Sequence, residues 1–117
     1  MLAAQAGAQD LTKTAPAATK PAYMISEIHI TDPEAIKPYR DHVEATFKPY
    51  GGRFIVRGGT MDLREGTDSN GRIVIIKFDS LAQAQAWYAS PEYQAILPSR
   101  QRAGVSRLYF VEGLEGQ

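Results

Sequence analysis

Between residues 23 and 112 the chain alternates between two spacings of apolar residues. A period of two marks strands, whose successive side chains point to opposite faces, and spacings of three and four mark helices. Residues 23–30 alternate, with Met24, Ser26, Ile28 and Ile30 on one face and Tyr23, Ile25, Glu27 and His29 on the other. Asp32-Pro33-Glu34 then predicts a helix start, with Asp32 as N-cap and Pro33 in the first turn. Ile36, Tyr39, Val43, Phe47 and Tyr50 form one helical apolar stripe, which Gly51-Gly52 stops. A strand over 53–58 follows, bracketed by two glycine pairs. Regular alternation there puts Phe54 and Val56 toward the core and Arg53, Ile55 and Arg57 on the opposite face. Gly58-Gly59 predicts a bulge or bend, and 61–65 an extended arm. Residues 68–71 read as a turn, since Asn70-Gly71 is a strong hairpin signal. In the third strand, 72–79, Val74, Ile76 and Phe78 face one way and Ile73, Ile75 and Lys77 the other. Ser80 and Gln83 form a capping box for a second helix. Ser90-Pro91-Glu92 restarts a helix, with Tyr93, Ile96, Leu97 and Arg100 on one face, and Pro98 is expected to bend or end it. Residues 105–112 are the fourth strand.

The order is β-α-β-β-α-β. The economical solution is an α+β, ferredoxin-like fold, a four-stranded antiparallel sheet with the helices on one face. The other face stays apolar, with Tyr23, Ile25, Ile55, Ile73, Ile75, Val105, Tyr109 and Val111 on it. A patch of that kind marks an interface, and a two-fold homodimer packed sheet to sheet covers it self-complementarily. Glu27, His29, Arg53, Arg57, Lys77 and Arg107 are expected in or near that layer. Buried charge is costly unless paired, so these either sit at the rim in ion pairs or line a cavity that holds a polar or anionic ligand.

A length of 117 residues is one domain. Residues 1–21 are rich in Ala, Thr, Gln and Pro and carry no aromatic or β-branched aliphatic residue, so they are expected to form a flexible tail before a domain over 22–117. Ala4-Gln5-Ala6 and Ala6-Gly7-Ala8 are similar to the small-x-small end of a signal peptide. Read that way the protein is exported or periplasmic; read as an Ala-rich extension it is cytoplasmic. The 13 basic and 13 acidic residues balance, which argues against a nucleic-acid partner. No apolar run is long enough for a membrane span. The lack of cysteine excludes disulfides and thiolate chemistry. His29 and His42, without a carboxylate cluster, make no metal site, and no motif of a nucleotide or other cofactor is present.

The run GGRFIVRGG at 51–59, Arg64-Glu65-Gly66, the segment WYASPEYQ at 87–94 and Arg100 occur in one order. Together they resemble a group of small bacterial proteins, the domain of unknown function 1330 family, over about residues 23–114. The family looks like a branch of the dimeric α+β barrel superfamily, whose members include small monooxygenases, isomerases, decarboxylases, haem-degrading enzymes and proteins of no known reaction. The resemblance points to Arg57, Gly58, Gly59, Glu65, Gly66, Tyr93 and Arg100.

The chemistry of these residues has two readings. Arg57 could hold a carboxylate with its planar fork, or pair with Glu65 or Glu27. Glu65 or His29 could move a proton, or Glu65 could pair with an arginine on the hairpin arm. Tyr93 and Arg100, seven residues apart on one helical face, could line a pocket mouth or simply pack. The expected function is a small homodimer binding a small polar or acidic organic molecule through Arg57, Glu65, Tyr93 and Arg100, in one form as a cofactor-independent enzyme. The alternative is a non-catalytic dimeric accessory or sensing module.

Overall fold

The computed structural model of the chain describes residues 19–67 and 71–117. The N-terminal tail up to residue 18 and the turn at 68–70 lie outside the described residues. Four strands form one antiparallel sheet: β1 (Ala22–Ile30), β2 (Arg53–Arg57), β3 (Arg72–Phe78) and β4 (Gly104–Glu112), in the spatial order β2-β3-β1-β4. Three helices, α1 (Lys37–Phe47), α2 (Leu81–Ala89) and α3 (Pro91–Ala103), cover one face. This is the ferredoxin-like α+β arrangement that the element order predicts.

Local chemistry sets the helix ends. Ser80 Oγ accepts from Gln83 N at 3.2 Å and so caps α2. It also donates to the Gln83 side-chain oxygen at 2.9 Å, so Gln83 closes on the hydroxyl and not on the Ser80 backbone N–H that a capping box uses. Ser90 Oγ accepts from Tyr93 N at 3.2 Å and starts α3, with Pro91 in its first turn. Gly51, at φ +79°, closes the short 3-10 turn Lys48–Tyr50 that follows α1.

Two helix expectations need correction. Asp32 caps a tight turn instead of α1: its Oδ1 accepts from Glu34 N and Ala35 N at 3.1 and 3.2 Å, and α1 begins only at Lys37. Pro98 does not end α3, which runs through it to Ala103. Packing on both sides of the proline holds the helix. Leu97, Ser99 and Arg100 are buried, Ser99 Oγ donates to Ala35 O, and Tyr39 N donates to Ser99 Oγ at 3.3 Å.

The apolar layer has two parts. Phe47, Phe78, Trp87 and Tyr93 are fully buried and meet in edge-on and tilted aromatic contacts at one end. Trp87 Nε1 donates to Thr46 Oγ1 at 2.9 Å, so its polar atom is satisfied and it is a core residue. A second, smaller cluster joins Ile28, Ile36 and Ala103.

The largest departure from regular alternation lies in β2. Arg53 pairs with Lys77 and Phe54 with Ile76, but Val56 pairs with Ile75 and Arg57 with Val74, so the register shifts at Ile55. Paired residues of an antiparallel ladder share a face. The extra residue therefore exchanges the expected faces of Val56 and Arg57: Val56 joins the open face and Arg57 the helix side, where it stays exposed on the edge strand. No glycine marks the bulge, which lies three residues before the Gly58-Gly59 pair that predicts one.

Candidate functional site

Where the two apolar clusters meet, the sheet and the helices α1 and α3 leave a cavity of about 60 Å³. That is room for several waters or a small polar group. Met24, Ile28, Val74 and Ile76 from the sheet and Ile36 and Val43 from the helical side give it apolar walls. Ser26 and Tyr39 supply hydroxyls, and Arg40, Arg57, Arg72 and Arg100 supply four positive charges. Among the described residues no Asp, Glu or His lines it.

Each arginine arrives by a different element. The bulge delivers Arg57, whose guanidinium stacks 4.3 Å above the Phe54 ring on the same face. Arg72 opens β3 opposite Ile28 and so points to the same side. Arg40 lies on α1 at the exposed rim. Arg100, on α3, is 7% exposed. Its Nη1 donates to Ser106 Oγ at 2.6 Å, and its guanidinium lies 5.7 Å from the Tyr39 ring centre. Its Nε is buried without a hydrogen-bond partner, and none of the ion pairs of the described residues includes it. A buried cation of this kind is costly unless something compensates it.

Behind Arg100, the hydroxyls of Tyr39 and Tyr93 bond each other at 3.0 Å. Burial raises both phenol pKa values above the ordinary range; for Tyr39 the neighbouring Tyr93 adds to the rise, and for both the Arg100 charge opposes it. Both stay neutral and cannot balance the guanidinium.

The structure thus gathers three of the four expected ligand-binding residues: Arg57 and Arg100 line the cavity, and Tyr93 supports it through Tyr39. Glu65 sits exposed on the arm that follows β2, away from the cavity. His29 points to the open face and lines an adjoining groove of about 490 Å³ against Met61 and Leu63, which shares Ile28, Ile30 and Arg72 with the cavity. That groove is larger, yet it is open and holds no buried polar group, so the smaller cavity is the better candidate. His42 is exposed, its Nδ1 2.8 Å from Pro38 O. Among the described residues no three metal-binding side chains cluster.

Sequence reasoning missed Arg72, Arg40 and Ser26. Arg72 and Ser26 had a visible signal, because each shares the alternation phase of core residues, Arg72 with Val74 and Ile76 and Ser26 with Met24 and Ile28. A polar residue in a core phase is either a strand-end residue or part of a site. Arg40 flanks the apolar stripe of α1 and had none.

On the open face the charges are paired or tied at the margins. Arg107 Nη1 lies 3.9 Å from Glu27 Oε2, Arg53 Nη1 3.9 Å from Asp79 Oδ1, and Lys77 Nζ donates to Gln117 O at 2.8 Å.

No curated protein matches the chain. Solved structures share its fold. A protein of unknown function from Rhodopseudomonas palustris is 22% identical over 82% of this chain and 84% of its own, with a TM-score of 0.67. SnoaB, a cofactor-independent oxygenase from Streptomyces nogalater, is 14% identical over 79% of this chain and 91% of its own, with a TM-score of 0.57. An uncharacterized NIPSNAP domain protein from Burkholderia xenovorans is 23% identical over 77% and 91%, with a TM-score of 0.53. At these identities the likeness is one of fold. Residues 21–114 match the family described as Domain of unknown function (DUF1330), most of the 117 residues, and the chain belongs to that family.

Proposed function

We propose that the protein is a homodimer that binds a small acidic organic molecule in the cavity between sheet and helices. The observation that carries this reading is Arg100, a buried guanidinium beside a cavity lined by three more arginines and, among the described residues, by no carboxylate. An arginine fork matches a carboxylate bidentately, so an acidic ligand would supply the missing countercharge. The apolar walls would take its carbon skeleton.

The dimer half of the proposal rests on the open face. Val56, Ile75, Ile25 and Tyr109 stand in one row across all four strands, and Ile55, Val105 and Val111 are exposed beside it. A sheet-to-sheet interface of standard size, roughly 1,600 Å², covers a face of this kind.

Catalysis is a narrower form of the same reading. One structural relative is a cofactor-independent oxygenase, and a reaction needing no cofactor would suit an apolar, arginine-lined cavity. A proton-transfer step would have to use Tyr39, since Glu65 and His29 lie elsewhere. The lack of an acidic or histidine side chain in the described lining favours binding, and hence a sensing or accessory role, over base-catalysed turnover.

Arg57→Ala tests the proposal. Light scattering should show an unchanged dimer, because Arg57 faces the cavity. Calorimetric titration with a panel of small carboxylic acids should show binding to the parent protein and a loss of at least about tenfold in the variant. If no acid in the panel binds the parent, the ligand reading fails; if Arg57→Ala falls apart into monomers, the arginine serves the assembly.

A further inference from the structure

Three of the cavity's four cations, Arg57, Arg72 and Arg100, stand at two separate ends, and their placement describes the shape of a ligand. The antiparallel registers set three residues of the covered face in one row: Ser106 on β4 pairs with Ile28 on β1, and Ile28 pairs with Arg72 on β3. The Arg100 guanidinium is fixed at the Ser106 end by its 2.6 Å hydrogen bond. Arg72 starts two strand spacings away, about 10 Å between backbones. Buried Ile28 lies between them. On the next strand Arg57 pairs with Val74, which makes it a diagonal neighbour of Arg72 on the same face. The two like charges oppose each other there, and among the described residues no carboxylate bridges them.

Gly58 positions this second pair. It has φ +67°, and its N–H donates to Ile73 O at 2.8 Å. A Cβ at Gly58 would stand 2.5 Å from Arg72 Nε and 2.6 Å from Arg72 Nη2. The Arg72 side chain therefore lies against a backbone that only glycine leaves open.

We infer that the cavity and the open groove at its mouth together take a short organic dianion of the dicarboxylate type. One carboxylate meets Arg100 inside the cavity, the carbon chain crosses Ile28, which lines both spaces, and the second carboxylate sits at the mouth between the exposed Arg57 and Arg72. This rests on the ligand-binding reading above and adds the number and spacing of the charges. A monocarboxylate leaves the Arg57–Arg72 pair uncompensated. A compact dianion such as inorganic phosphate cannot reach both ends of the row.

Calorimetric titration of the full chain with adipate, hexanoate and inorganic phosphate tests the inference. Adipate binds at least about tenfold tighter than hexanoate, and phosphate binds more weakly than adipate. Arg72→Gln costs adipate more affinity than hexanoate and moves their ratio toward one. Gly58→Ala does the same by displacing Arg72, and Arg72→Gln carries the test alone if the glycine substitution disturbs the strand. Equal affinities for adipate and hexanoate overturn the dianion inference while leaving the ligand-binding reading intact. Tighter binding of phosphate than of adipate overturns it as well. Binding of other acids in the broad panel but of neither adipate nor hexanoate removes this inference alone, whereas failure of the whole panel removes both.

Discussion

Arg100 shows how one side chain can serve binding against stability. It gives up the hydration of a full charge, and in return it has one short hydrogen bond to Ser106 and the face of Tyr39. The nearby phenols are neutral, so the protein itself leaves the charge uncompensated. Replacing an expensive buried charge by an apolar side chain of similar length is often neutral or stabilising. Arg100→Met should therefore unfold in urea within about 1 kcal/mol of the parent, or later, while losing acid binding by titration. A loss of several kcal/mol would mean that the guanidinium holds the helix layer together.

At the scale of elements, boundaries follow short-range chemistry, and that part was legible in the chain. Ser80 with Gln83, Ser90 with Pro91, and Gly51 all act where their types predict. The cap at Ser90 also starts the helix that carries both Tyr93 and Arg100. Ser90→Ala should cost about 1 kcal/mol in chemical unfolding and weaken acid binding with it, since the first turn of α3 loses its anchor. What was not legible depended on distant partners. Pro98 reads as a helix end until Ser99 is seen tied to Ala35 and Tyr39. Ile55 is a β-branched residue suited to a regular strand, and nothing beside it announces a bulge; the shift appears only in its pairing with β3. Arg57 and Arg100 were identified as candidates, but on opposite sides of the sheet, because alternation was carried through a residue that breaks it.

For the whole molecule, the two faces of the sheet divide the work. The covered face holds the core and the cavity, and the open face presents the apolar row Val56–Ile75–Ile25–Tyr109. The same register shift that sends Arg57 to the helix side puts Val56 into this row, which makes the outer face more apolar than alternation predicts. The cover proposed for this row is a second copy of the chain. Ile25→Glu places a carboxylate at the middle of the row. Light scattering should then give the mass of a monomer at micromolar concentration, where the parent gives that of a dimer; a parent monomer would remove the assembly from the proposal.

The bulge at Ile55 has a consequence for how such chains can diverge. Pairing Ile55 itself with Ile75 in an unbroken ladder would restore strict alternation, return Arg57 to the outer face and bring Val56 to the helix side. The helices, the aromatic core and the order of the strands would persist, but the cavity would lose a cation and the outer layer would gain one. Relatives that keep the same residues but pair this strand without the bulge would thus share an architecture while presenting different groups to the cavity and to the outer face. The register of β2 against β3, more than the identity of any residue in it, governs where the charge of this protein goes.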